Sequence, residues 1–63
     1  MTESAHVRYL IADTVAEETL TAPAVHVQVW DSGRGKVTLY REDGTVMESI
    51  TYRRIERVRR VHG

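Results

Sequence analysis

Apolar and polar residues alternate most cleanly from Ala24 to Asp31, with Val25, Val27 and Val29 on one side and His26, Gln28 and Trp30 on the other. A period of two marks a β-strand with one covered face. The same period runs through His6 to Ala12, where Val7, Tyr9 and Ile11 oppose His6, Arg8 and Leu10. That segment predicts a strand with apolar groups on both faces. Between Lys36 and Ile50, two β-prone runs flank Asp43-Gly44, the dipeptide that best signals a two-residue hairpin. A type I′ turn there needs positive φ at both central residues, which Gly44 adopts freely and Asp43 tolerates. The turn predicts a register of Glu42–Thr45, Arg41–Val46, Tyr40–Met47, Leu39–Glu48, Thr38–Ser49 and Val37–Ile50.

Elsewhere the pattern is weaker. Residues 1–5 are small and polar and read as a disordered start. From Asp13 to Ala22, Thr14 and Glu17 have capping-box spacing, yet Val15 and Leu20 make no full apolar stripe. Pro23 also pushes Ala22 out of helical geometry, so this stretch reads as a long loop with at most one helical turn. Ser32-Gly33-Arg34-Gly35 reads as a flexible connector. Beyond Ile50, Ile55, Val58 and Val61 recur every third residue, which leaves two readings of residues 51–62. One is a terminal helix; the other is a 3₁₀ turn over Thr51–Arg54 followed by a closing strand from Ile55 to Val61.

With the closing strand, the order is five short strands, a long first loop, a tight hairpin between the third and fourth, and one helical turn before the fifth. That order resembles an SH3-like small barrel. The resemblance implies a mainly β fold, a small five-stranded antiparallel barrel over 1–63. The chain carries neither the Ala-Leu-Tyr-Asp-Tyr run of peptide-binding SH3 domains nor the glycine and asparagine signature of the Sm family. The likeness therefore implies a fold and names no ligand.

Sixty-three residues make one domain. A chain of that size buries only about 60% of its unfolded surface and commonly needs a disulfide, a metal or a partner copy. There is no cysteine, which excludes disulfides and thiolate metal sites. No two histidines stand at metal-binding spacing. No cofactor or metal is expected, and a homo-oligomer is. No apolar run approaches the roughly 20 residues that span a bilayer, and the start lacks a signal-peptide core, so a cytoplasmic protein with no membrane contact is expected.

The net charge is zero but unevenly placed. Residues 1–31 hold five acids against Arg8, a net of −4; residues 32–63 hold eight cations against four acids, a net of +4. Arg53, Arg54, Arg57, Arg59 and Arg60 crowd the last part of the chain, with Glu56 between them. Guanidinium forks match phosphate oxygens, and in a strand Arg57 and Arg59 share a face. Such a patch can follow a phosphate backbone, with Tyr52 and Trp30 as stacking surfaces. Arg34 and Lys36, in the glycine-containing Ser32–Lys36 stretch, are further candidate anion contacts, although the spacing is not that of a Walker loop. The competing reading makes the arginines a solvated or subunit-bridging face.

Trp30, Tyr40 and Met47 form a candidate interface, since exposed aromatic and Met side chains are enriched where proteins meet. His6, His26 and His62 are isolated, and no serine or carboxylate spacing predicts a catalytic dyad, so no enzyme is expected. The sequence thus points to a regulatory binding module for nucleic acid or a phosphate-bearing ligand. A protein–protein adaptor or inhibitor stands as the alternative. A third is an oligomer that sequesters nucleotides, of the viral counter-defence type.

Overall fold

The computed structural model describes residues 1–62. Six strands run in chain order: β1 Glu3–Ile11, β2 Thr14–Ala22, β3 Ala24–Val29, β4 Gly35–Tyr40, β5 Val46–Tyr52 and β6 Ile55–His62. They form two three-stranded antiparallel sheets, ordered β2-β1-β6 and β3-β4-β5. The mainly β, antiparallel expectation stands. The strand number and closure do not, because two open sheets replace one closed five-stranded barrel.

The sixth strand is β2, in the stretch expected to be a long loop with one helical turn. Its inward positions are Ala16, Glu18, Leu20 and Ala22, opposite Tyr9, Val7, Ala5 and Glu3 of β1. Two small residues and an acid on that side hide the period of two. The outward threonines suit a pleated surface, and pairing with β1 satisfies the backbone. Pro23 then turns the chain directly into β3, in the other sheet. The extended geometry that proline forces on Ala22 serves a strand as well as it opposes a helix.

Residues 3–5, read as disordered, belong to β1, and the Ala5 side chain is fully buried. The buried core is Ala5, Val7, Ala22, Val25, Val37, Leu39, Tyr52 and Ile55, with Tyr9, Leu20, Val27, Ile50 and Val58 packed against it. Small side chains at Ala5 and Ala22 let the sheets approach. Glu3 ties them at one end, where its Oε2 accepts the Val25 N–H at 2.9 Å.

Of the two readings of residues 51–62, the closing strand from Ile55 stands, running to His62, while Thr51–Arg54 form no 3₁₀ turn. β5 continues to Tyr52, Arg53 and Arg54 make a bend, and β6 begins at Ile55. The bend is held from both sides, by the Leu10 N–H on Arg54 O (3.0 Å) and the Ile55 N–H on Gly33 O (2.6 Å).

The hairpin at Asp43-Gly44 exists, with a three-residue loop in place of the type I′ turn. Gly44 N–H donates to Arg41 O at 3.0 Å and Arg41 N–H to Thr45 O at 2.8 Å. Only Gly44 has positive φ, at +88°. Asp43 keeps ordinary φ and spends its carboxylate on Thr45, accepting from the backbone N–H at 2.9 Å and the hydroxyl at 2.6 Å. Those bonds hold its carboxyl below the usual carboxylate range, the hydroxyl contributing most. Tyr40 consequently pairs with Val46, and Met47 is the extra residue of a bulge. From Leu39–Glu48 onward the register is the predicted one. The supposed flexible connector closes the same way: Gly33 N–H meets Trp30 O at 2.9 Å, Trp30 N–H meets Arg34 O at 2.7 Å, and Gly33 has φ +77°.

Candidate functional site

β1 and β6 bring together two triplets, His6-Val7-Arg8 and Arg57-Val58-Arg59. They run antiparallel, with His6 opposite Arg59, Val7 opposite Val58 and Arg8 opposite Arg57. The central valines face the core, where Val7 is only 1% exposed. Alternation then turns the four cationic or ionisable neighbours to the outer face of the sheet. Together with Glu17, Glu18 and Thr19 of β2 they line an open concavity of about 250 Å³.

Three contacts organise this face. His6 Nδ1 and Thr19 Oγ1 share a hydrogen bond at 3.0 Å. Arg8 lies between two acids, with Nη1 3.8 Å from Glu17 Oε1 and Nε 3.4 Å from Glu56 Oε1. Glu56 reaches Arg8 because the β1–β6 ladder shifts register between Arg8 and Tyr9, leaving Glu56 as the unpaired residue of a bulge. Arg8 Nε is buried without a hydrogen bond. Both acids are engaged by Arg8, and among the described residues Arg57 and Arg59 form no ion pair.

The expected anion-binding residues are divided by the fold. Arg57 and Arg59 share the outer face. Arg60 has the opposite parity, and its Nη1 approaches Val25 O at 3.5 Å between the sheets. Near it, Glu3 accepts the Val25 N–H and pairs with His62 (Nδ1 to Oε1, 3.0 Å). The Val25 bond, then His62 and Arg60, hold the Glu3 carboxyl below its ordinary value. Arg53 lies at the bend, on a second cleft lined by Tyr9, Leu10, Ile11 and Tyr52. The Arg54 stem lies beside Gly33. Arg34 and Lys36 belong to the other sheet.

Tyr52 is no stacking surface. It is 5% exposed, its ring tilts against Tyr9 at a centroid distance of 4.8 Å, and its hydroxyl donates to the Glu18 carboxylate. Burial, then that bond to Glu18, pushes its ionisation well above the ordinary tyrosine value. Gly33 and Gly35 form no phosphate cradle either. The Gly33 N–H is spent in its turn, and a Cβ on Gly35 would collide with Ile55 Cδ1 and lie 2.8 Å from Gln28 O. Gly35 is there so that β6 can close on β4.

The candidate interface also separates. Trp30 sits in the β3–β4 turn, whereas Tyr40 and Met47 lie at the far end of β4 and β5. Six residues of strand separate Arg34, the partner of Trp30, from Tyr40, roughly 20 Å. Sequence reasoning missed His6, Arg8, Thr19 and the two organising acids. Their signal was the repeated basic-Val-basic pattern at His6–Arg8 and Arg57–Arg59, whose meaning depends on a pairing between the two ends of the chain.

Among the described residues no group of His, Cys, Asp and Glu side chains is arranged to hold a metal ion. Among the described residues no helix is long and apolar enough to cross a membrane. No protein-family model matches this chain, and no curated protein or solved structure matches it.

Proposed function

We propose that this protein is a non-enzymatic module that binds an anionic partner, a nucleic acid or a phosphate-bearing ligand, through the outer face of the β2-β1-β6 sheet. One observation carries the reading: Arg8 stands directly opposite Arg57, and His6 opposite Arg59. Like charges opposed across strands destabilise a sheet, whereas opposite charges there contribute roughly 0.2–1 kcal/mol. Glu17 and Glu56 offset the charge of Arg8, and a bound anion would do the same for Arg57 and Arg59. Glu17 and Glu56 hold the Arg8 side chain in place while leaving the forked N–H groups of Arg57 and Arg59 to donate to phosphate oxygens. The module is taken to work as a homo-oligomer, because so little of its apolar surface is covered by one chain.

The test is a titration of a fluorescent oligonucleotide at several salt concentrations. Three guanidinium contacts to a single strand correspond to a slope of log affinity against log salt of about −2. The Arg57→Ala, Arg59→Ala double variant is expected to lose most of the affinity and bring the slope above about −1. Equal binding by the folded double variant overturns the proposal.

A further inference from the structure

Of the outer strands, β3 is the least defended against pairing with another chain. Edge strands are ordinarily protected by charges, proline or bulges. β2 carries Glu17 and Glu18, β6 carries Glu56, Arg57, Arg59 and Arg60, and β5 has Glu48 and the Met47 bulge. β3, from Ala24 to Val29, holds no acid, lysine or arginine.

Alternation along the β3–β4 ladder fixes which backbone groups face the open side. Trp30 N–H donates to Arg34 O at 2.7 Å, so Gln28, His26 and Ala24 also turn their N–H and C=O groups toward β4. Val25, Val27 and Val29 turn theirs away from it. At Val25 those groups are already engaged, the N–H by Glu3 Oε2 at 2.9 Å and the carbonyl by Arg60 Nη1 at 3.5 Å. Among the described residues no such contact covers the Val27 or Val29 backbone, and Val29 is 53% exposed.

A second copy, antiparallel about a twofold axis through Gln28, supplies what these groups lack. Val27 of each copy then stands opposite Val29 of the other, and the two exchange N–H and C=O groups. Gln28 faces its own counterpart, and His26 lies against the second copy's Trp30, which is itself exposed. The second copy's Asp31 comes level with Val25, where it meets the opposite charge of Arg60. An axis through Val27 would instead call on the Val25 groups that Glu3 and Arg60 hold.

We propose that the protein forms a twofold dimer by antiparallel pairing of β3 with β3 of a second copy over Val27–Val29, joining the two β3-β4-β5 sheets into one. The contact draws on none of the residues of the cationic face, which belongs to the other sheet.

Native mass tests this for the wild type, Val29→Lys and Val61→Lys over a dilution series from about 100 µM to about 1 µM. A contact this short lies at the small end of specific interfaces, so the wild type is expected to fall from twice 7.2 kDa to 7.2 kDa on dilution. Val29→Lys, which puts a charge on the open edge, is expected to stay at 7.2 kDa throughout. Val61→Lys, on the β6 edge, is expected to follow the wild type. Residue-resolved amide exchange on the wild type needs no variant to fold. The Val27 and Val29 amides are expected to exchange at least about tenfold more slowly at the high concentration, while Gln28 is protected at both. A wild type that is monomeric at about 100 µM overturns the proposal, as does association that Val29→Lys leaves intact or Val61→Lys abolishes. Val27 and Val29 amides that exchange equally fast at every concentration overturn it as well.

Discussion

Single residues hold this small fold at places where the backbone or the sheets are least forgiving. Ala12 has φ +54° in the two-residue β1–β2 turn, a region that costs an L-residue about 1–2 kcal/mol. Ala12→Gly removes that cost and gives back part of it as extra freedom of the unfolded chain. A net gain of about 0.5–1 kcal/mol is expected, seen as a rise of several degrees in Tm by calorimetry. Tyr52 is the other sensitive residue, because its hydroxyl bridges β5 to Glu18 of β2. Tyr52→Phe leaves that carboxylate facing the core without its donor, at an expected cost of about 1–3 kcal/mol in chemical denaturation. The hydroxyl ionises at higher pH in the folded state than the ordinary tyrosine value of about 10. Its stabilisation is therefore complete below that value and declines as pH rises beyond it. The phenylalanine variant should lose this alkaline decline.

At the scale of elements, legibility followed the strength of local alternation. β3 and β1 were readable because valines and a tyrosine recur at every second position over several residues. β2 was not, because Ala16, Glu18 and Ala22 carry too little apolar contrast to show which side faces inward. Its strand character comes from β1, which is known only once the two are paired. The hairpin register survived a misjudged turn because the extra loop residue at Glu42 is cancelled by the Met47 bulge. The candidate site was half legible. Arg57 and Arg59 stood out as a charge cluster, but their partners Arg8 and His6 lie some fifty residues away. No local pattern announces a contact between chain ends. The sequence also grouped arginines by proximity, whereas alternation sends Arg60 inward and the bend takes Arg53 and Arg54 elsewhere.

For the whole molecule, the decisive quantity is how little it covers. Ile11, Val29 and Val46 each leave more than half their surface in solvent, and the fully buried larger side chains are Val7 and Val37. Both sheets also present unpaired outer strands, β2 and β6 in one and β3 and β5 in the other. Uncovered apolar surface and open edges favour contact with further copies. Association is expected to appear as a native mass above 7.2 kDa and as a Tm that rises with protein concentration. A monomeric mass with a concentration-independent Tm would contradict it.

On the proposed reading Arg57 stands opposite Arg8 to meet a ligand and not to stabilise the fold. The most direct measurement is Arg57→Ala followed by both thermal unfolding and oligonucleotide affinity. Tm is expected to be unchanged or higher, since a like-charge neighbour of Arg8 is removed, while affinity falls roughly threefold to tenfold. A Tm lowered by several degrees with affinity intact would show that Arg57 serves the fold and overturn its ligand role.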